Sequence, residues 1–343
     1  MHFWLWVNFS LTIALFTVTG WFLVRRARRE RRLTPELALY VATLTLGWME
    51  AVIDWGAFVY YSPEWPHFPT DWPVVRLIPI LPLHIPLCYT WFFFGGAWMG
   101  MRLARALTTR FTRMRMGPML IVCGLVVGFL LDIAVESFFI SVGGLWTYTQ
   151  TWGPLTWHAG ADNQWPVYMG FAMALTIAPI TYLFGTRDDR GEDVVAATVR
   201  RITAARTRAA PAPLVGAPSG ASSGVDRRGR SAPAVVGMNL AVAGAARAAT
   251  IAAPAAPSGD ARGAPTGRTQ WLLYLVSWVV VVHVIYGAVS LGYATLRWTG
   301  LQTTVSTVKP YPDAKPWFDG DITKRGDPSL PRHSIDAAVD DDR

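Results

Sequence analysis

Charge is scarce in this chain. Only 16% of its 343 residues are Asp, Glu, Lys or Arg, where a soluble domain carries about a quarter, and that shortfall argues against an ordinary soluble fold. Cysteine is nearly absent. Cys88 and Cys123 both fall within apolar runs, so buried structural thiols are expected rather than a disulfide framework or a thiolate metal centre. Lys and Arg are missing altogether from 62–75 and 143–165. No Gly-rich phosphate loop, no nucleophile elbow and no pair of axial haem histidines can be found. The first apolar run lacks the basic residues that precede a cleaved signal peptide; its arginines follow it instead, as expected of a retained anchor.

What the chain does have is apolar length. It is 52% hydrophobic, with mean hydropathy +0.28 and 17 Trp, and several apolar runs approach the roughly 20 residues needed to cross a bilayer. An all-α membrane protein with about six transmembrane helices is expected, with spans near 3–24, 36–61, 77–100, 117–142, 166–185 and 271–293. The net charge of +8 is concentrated in Arg25–Arg32, in Arg102–Arg115 and after Thr186. These clusters follow alternate spans, so the basic excess reads as topology rather than nucleic-acid binding. The loops without Lys or Arg, and the N-terminus, should face outward. Residues 1–185 form a five-helix membrane domain in this reading, and 186–269 an Ala/Pro/Arg-rich disordered cytoplasmic linker. GEDVVAATVRRITAARTR within that linker has the pattern of a short amphipathic surface helix. Residues 270–296 hold the sixth helix and 297–343 an extended polar tail on the outer side. A multi-pass protein of the cell membrane is the expected localisation.

Against this background two carboxylate pairs stand out, Glu50 with Asp54 and Asp132 with Glu136. Each is spaced i, i+4, so both members share one helix face. A charge at membrane depth costs at least ~2.5 kcal/mol, which makes an intramembrane acid a functional candidate by default. With a rise of ~1.5 Å per residue, all four acids, together with His84 and His283, fall roughly 10–16 Å below the outer interface. One polar pocket opening outward would account for the shared depth. Two carboxyls so placed tend to hold one proton between them, and can act as general acid beside general base.

Each histidine has a plainer reading as a hydrogen-bonded helix contact. The outer loops add Glu64, His67 and Asp71, and Tyr148, His158, Asp162 and Gln164. Glu-x2-His and His-x3-Asp are fragments of metal-ligand patterns, but prolines break the first and no further His or Cys completes either, so no metal is expected. The Trp and Tyr of these loops suit an interfacial belt, or an aromatic roof over the acids. A faint internal echo links the loop ends DWPVV and QWPVY, each downstream of an acidic helix.

In this order the motifs resemble the AveC-type spirocyclase family: Asp132-x3-Glu136, then GGLWTY (Gly143–Tyr148), QWPVY (Gln164–Tyr168) and RDDRGE (Arg187–Glu192), preceded by the acidic helix with Asp54 and by Tyr61-Ser62. The likeness covers roughly 45–195. It implies a polytopic actinobacterial membrane protein of polyketide (secondary) metabolism, closing a dihydroxy-ketone into a spiroketal with an associated dehydration and no cofactor. Carried across, the acidic positions match Asp54, Asp132 and Glu136, and the aromatic-polar positions match Trp146, Tyr148, Gln164 and Tyr168. Trp55 stands where the pattern has Pro, and Met169 where it has Glu. Among the acids Glu50 has the weakest claim from the likeness.

The expectation is therefore a membrane-embedded cyclase with Asp132, Glu136, Asp54 and Glu50 in catalysis. Trp146, Tyr148, Gln164, Tyr168, His84 and His283 are its candidate substrate contacts. Its partners would be a hydrophobic polyketide or terpenoid-like hydroxy-ketone and the lipid bilayer, with no nucleic acid; the oligomeric state is left open. Two other readings use the same features. Intramembrane acids also serve proton-coupled transporters, and a non-catalytic scaffold would need the 186–269 segment rather than the acids.

Overall fold

The computed structural model describes residues 2–62, 64–69, 72, 78, 81–209 and 268–306. Helix α1 (His2–Glu30) leads to α2 (Pro35–Leu44), a 3-10 turn (Thr45–Met49), α3 (Glu50–Ala57) and strand β1 (Val59–Tyr61). Next come α4 (Ile85–Tyr89), a π turn (Thr90–Phe94), α5 (Gly95–Arg110), α6 (Met116–Phe138) and a second π turn (Phe139–Gly143). Four short strands follow, β2 (Trp146–Tyr148), β3 (Gln150–Thr151), β4 (Thr156–Trp157) and β5 (Trp165–Pro166). The described chain closes with α7 (Val167–Gly185), α8 (Val194–Ala209), α9 (Arg268–Trp298) and β6 (Thr304–Val305).

Among the described residues, five helices are long and apolar enough to cross a membrane: Phe3–Glu30, Pro35–Ala57, Met116–Gly143, Val167–Gly185 and Thr269–Trp298. The sixth expected span, 77–100, differs. Its helix begins only at Ile85 and runs through the π turn to Arg110. Pro82 and Pro86 crowd its start, and proline lacks the N–H that an interior helical turn needs. Pro86 is tolerated because it sits in the first turn of α4. The late start pushes the helix on into Arg102, Arg105 and Arg110. The amphipathic pattern near 191–208 is realised as α8. The rest of the expected linker, 210–267, and the tail beyond 306 lie outside the described residues.

The helices face their surroundings as membrane helices do. In α9 the buried side chains are Tyr274, Trp278, Val282, Tyr286, Ser290, Tyr293 and Ala294, one stripe at helical spacing, while Val276, Val280, Val284 and Leu291 on the other side are exposed. Apolar residues on both faces suit an outer surface in contact with lipid. Helices α6 and α7 meet through small residues. A Cβ on Gly124 would lie 2.6 Å from Ala178 Cα, and one on Gly128 would lie 2.8 Å from Ala174 Cα. This G-x3-G against A-x3-A seam lets the backbones approach closely, which is how helices associate where lipid removes the hydrophobic drive.

Both acid-bearing helices end alike. Phe58, at φ 56°, closes α3 in the left-handed conformation, and its N–H bonds to Asp54 O. Gly144, at φ 57°, does the same after the π turn that extends α6. A bulky residue in that region is uncommon, and Phe58 is held there by Arg297, whose guanidinium lies 4.1 Å from its ring and 4.4 Å from that of Trp55. Each reversal sends the chain into a strand, and the two strands pair antiparallel, with Val59 opposite Tyr148, Tyr60 opposite Thr147 and Tyr61 opposite Trp146. The β3–β6 and β4–β5 pairs complete the strand layer.

Candidate functional site

The β1–β2 pair and the two acidic helices, with residues of α1, α4, α7 and α9, line one cavity of about 100 Å³. Glu50, Asp54, Asp132 and Glu136 all line it, so carboxyls 78 and more residues apart are brought together. Glu136 lies within electrostatic reach of both Glu50 and Asp54. Asp54 and Asp132 are each only 2% exposed.

The four acids are not equivalent, because their hydrogen-bond donors are distributed unevenly. Glu50 accepts from three phenols: Tyr61 Oη at 2.9 Å, Tyr286 Oη at 3.4 Å, and Tyr89 Oη, which also bonds to Tyr286. Glu136 accepts at one oxygen from Trp146 Nε1 (2.9 Å) and Tyr148 Oη (3.0 Å). Asp54 and Asp132 are different, since the Oδ2 of each is buried with no protein partner. A buried carboxyl oxygen without a partner is costly. Two of them on one cavity mark the places where a bound molecule would make its polar contacts.

The donors belong to the strand layer as much as to the helices. Burial, then the charge of Asp54 and Glu50, pushes the Tyr61 phenol well above its ordinary range. Burial, then Glu136 and Asp132, does the same for Tyr148. Both phenols therefore stay protonated at any physiological pH and keep donating.

The expected site residues divide into those at the cavity and those behind it. Trp146, Tyr148 and His84 line it. His84 is 1% exposed and stacked on Trp65 with ring centroids 4.3 Å apart, and its Nδ1 has no protein partner. Gln164 does not reach the cavity. It is buried behind β2, where Nε2 donates to Tyr148 O (2.6 Å) and Oε1 accepts from Gly160 N (3.0 Å) and Thr151 Oγ1 (3.2 Å). It thereby fixes the backbone that carries Tyr148. Tyr168 is also one layer back, with its hydroxyl 3.4 Å from Trp152 N and 3.3 Å from Gln302 Nε2.

His283 stands apart from the cavity lining. Its Nδ1 is 2.8 Å from Val279 O, and its Nε2 accepts from Trp48 Nε1 at 3.0 Å. That is the plainer reading of this histidine, a satisfied contact between helices. His67 and His158 lie in the connecting segments, and neither lines the cavity. Asp71 lies outside the described residues.

Several cavity residues carry no signal in the sequence, among them Tyr89, Tyr286 and Asn8, and Met169 stands out there only as a departure from the family pattern. Tyr286 shares the buried stripe of α9, and that stripe is the pattern through which it was findable. RDDRGE serves elsewhere. Asp188 Oδ1 accepts from Arg190 N and Glu192 N, Arg200 bonds to Glu192 (2.6 Å) and Asp188 (3.0 Å), and Asp193 caps α8 at Ala196 N while accepting from Tyr274 of α9. The motif and the Asp193 that follows it clasp α8 to α9 and take no part in lining the cavity.

Residues 30–220 match the family model described as Spirocyclase AveC-like. No curated protein and no solved structure matches the chain. The matched stretch holds both acid pairs, β1, β2 and the clasp, whereas Tyr286 and the rest of α9 lie beyond it.

Proposed function

The chain belongs to the AveC-like spirocyclase family, and from that premise we propose that it is a membrane-embedded cyclase closing a hydrophobic dihydroxy-ketone, polyketide or terpenoid-like, into a spiroketal with loss of water. The observation that carries this reading is the uneven donor pattern. Two glutamates are held by phenol and indole donors, and beside them two aspartates each keep an unpartnered oxygen on the same cavity.

The reaction needs proton delivery and proton removal a few ångströms apart. One substrate hydroxyl adds to the ketone carbon while an aspartic acid, Asp54 or Asp132, gives its proton to the carbonyl oxygen. The proton of the attacking hydroxyl passes to a carboxylate, and a hemiketal results. The hemiketal hydroxyl then takes the proton now held by that carboxylate and leaves as water, giving an oxocarbenium ion. The second hydroxyl attacks that carbon and gives its proton to the aspartate deprotonated in the first step, so the acids end as they began. Glu50 and Glu136, fixed by their donors, suit the accepting role and stabilise the cation. Trp146 and Tyr148 add aromatic faces beside it. Apolar walls limit capture of the ion by stray water. We place the chain in the cell membrane with this cavity in the outer half.

The test is substitution of the acids followed by metabolite profiling of a deletion strain carrying each variant. Asp54→Asn, Asp132→Asn and Glu136→Gln should each lower product by about 10²–10⁴-fold, the usual worth of a positioned acid or base. Each variant should keep its membrane yield and unfolding temperature. Full product from Asp132→Asn or Glu136→Gln would remove that carboxyl from the mechanism.

A further inference from the structure

The acid cavity is too small for the molecule it is proposed to act upon. About 100 Å³ gives room for a few waters or for the reacting oxygens and carbons, but not for a long apolar chain. The rest of such a substrate must lie somewhere continuous with the acids. Between α7 and α9 runs a second, larger hollow, a groove of about 750 Å³ whose walls include Phe171, Leu175, Pro179, Ala288, Gly292 and Tyr293. It faces outward from the bundle, with Phe171 and Leu175 53% and 60% exposed, at residues of two membrane-spanning helices. Its open side therefore faces the hydrocarbon of the bilayer. At Gly292 a Cβ would meet nothing within 4 Å, so the groove is unobstructed there.

Two side chains separate this groove from the acids. Tyr293 lines the groove, and its hydroxyl lies 3.1 Å from Met169 Sδ, while Met169 lines the acid cavity. Tyr293 is also close enough to Asp132 and Glu136 to interact with their charges. A thioether with three rotatable bonds is among the most easily displaced of core side chains. The phenol–sulfur contact that holds it shut is a weak one.

We propose that the α7–α9 groove is the lateral access route and tail site for the substrate. In this role it admits a single-chain amphiphile with an oxygenated end, which slides in from the bilayer past Met169 and Tyr293 until its oxygens reach Asp54 and Asp132. This inference rests on the cyclase reading for the identity of the oxygenated end, but it concerns binding and is tested by binding. An apolar chain suits a groove with no charged side chain along its walls, and Tyr293 on that wall adjoins the cavity that holds the four acids.

The test uses the full chain in lipid nanodiscs and a photoreactive probe, a twelve-carbon primary alcohol with a diazirine at mid-chain; peptide mass spectrometry locates the labels. Two controls carry the same diazirine, the matching alkane without a hydroxyl and a phosphatidylcholine acyl chain. The alcohol should label α7 and α9 peptides around Leu175 and Ala288 saturably. Leu175→Trp, at a position already exposed and so tolerant in folding, and Gly292→Trp should each reduce that labelling about tenfold, equivalent to ~1.4 kcal/mol of affinity. Asp54→Asn with Asp132→Asn should weaken capture of the alcohol but not of the alkane. Equal labelling by all three probes would mean ordinary annular lipid and would overturn the proposal, as would labelling indifferent to both tryptophans. If the acid variants kept full product while groove labelling stayed saturable and hydroxyl-dependent, the catalytic reading would fail and the access route would stand.

Discussion

Tyr61 and Trp146 face each other across the β1–β2 pair, and each donates to a different carboxylate, Tyr61 to Glu50 and Trp146 to Glu136. One ladder rung thus sets the position of both glutamates. A shift of one residue in register would turn every side chain of the slipped strand to its other face, withdrawing Tyr61 from Glu50 if β1 slips, or Trp146 and Tyr148 from Glu136 if β2 does.

Tyr61→Phe and Trp146→Phe should therefore be coupled. Each leaves a buried acceptor short of a donor, at a cost of about 1–3 kcal/mol. The double variant should lose less than the sum of the singles, by about 0.5–3 kcal/mol. A double-mutant cycle on thermal unfolding in detergent measures this, and strict additivity would mean that the rung does not link the two glutamates.

Tyr286 brings the last helix to the site. Tyr286→Phe removes one of the three phenols on Glu50 while keeping the ring that packs on Tyr89 and Phe93. Product should fall about tenfold or more, as when a charged hydrogen bond worth ~1.5–3 kcal/mol is lost. The infrared carboxyl band assigned by Glu50→Gln should shift with it. An unshifted band would mean that Tyr286 acts only through packing.

The α6–α7 seam gives a stability prediction. Gly128→Leu drives a side chain into the backbone at Ala174 and should destabilise by roughly 1–3 kcal/mol. Gly117→Ala, whose Cβ would lie 3.6 Å from Tyr182, meets only ordinary contact and should be neutral or slightly stabilising. Unfolding temperatures of the two variants, compared with the parent, test the difference.

Alkaline titration should reveal the phenols of the strand layer. With folded values held above the ordinary ~10 of tyrosine, Tyr61 and Tyr148 bind their protons more tightly folded than unfolded. Their contribution to stability is full below about pH 10 and is lost as pH climbs through the raised values. Tyrosinate absorbance should show a late phase that shrinks in Tyr61→Phe and in Tyr148→Phe. A single phase at the exposed-tyrosine value in the parent would contradict the burial of both phenols.

Orientation is open to direct labelling. His158→Cys, in the strand layer, should react with an impermeant maleimide on intact cells, and Arg110→Cys, at the end of α5, only after permeabilisation. The reverse pattern would invert the topology and place the acids in the inner half of the membrane.

Much of this site was legible in the sequence because it rests on local periodicity. The i, i+4 spacing put Glu50 beside Asp54 and Asp132 beside Glu136, and apolar length located five spans. What periodicity cannot report is which distant residues meet. Tyr89 and Tyr286 are 197 residues apart and share Glu50 only after α9 packs against α3. Nor does residue type distinguish His84 from His283, both histidines in apolar segments. The difference is that Trp48 and Val279 satisfy one and Trp65 covers the other. The prolines ahead of Ile85 were visible, but their delay of the helix start was outweighed by the apolar run around them. The RDDRGE motif carries only a likeness in the sequence, and the clasp it forms with Asp193 depends on Arg200 and Tyr274 arriving from α8 and α9.

Tyr286 has a consequence for how the protein is made. During synthesis the four acids enter the membrane with α3 and α6, long before the ribosome reaches α9. Until then Glu50 lacks one of its donors and the cavity lacks one of its walls. A chain arrested before α9 would carry charged groups at membrane depth with an open flank, the kind of lesion that membrane quality control removes. Insertion of the last helix is then the maturation step, and a separately expressed α9 segment should rescue a chain truncated before residue 268.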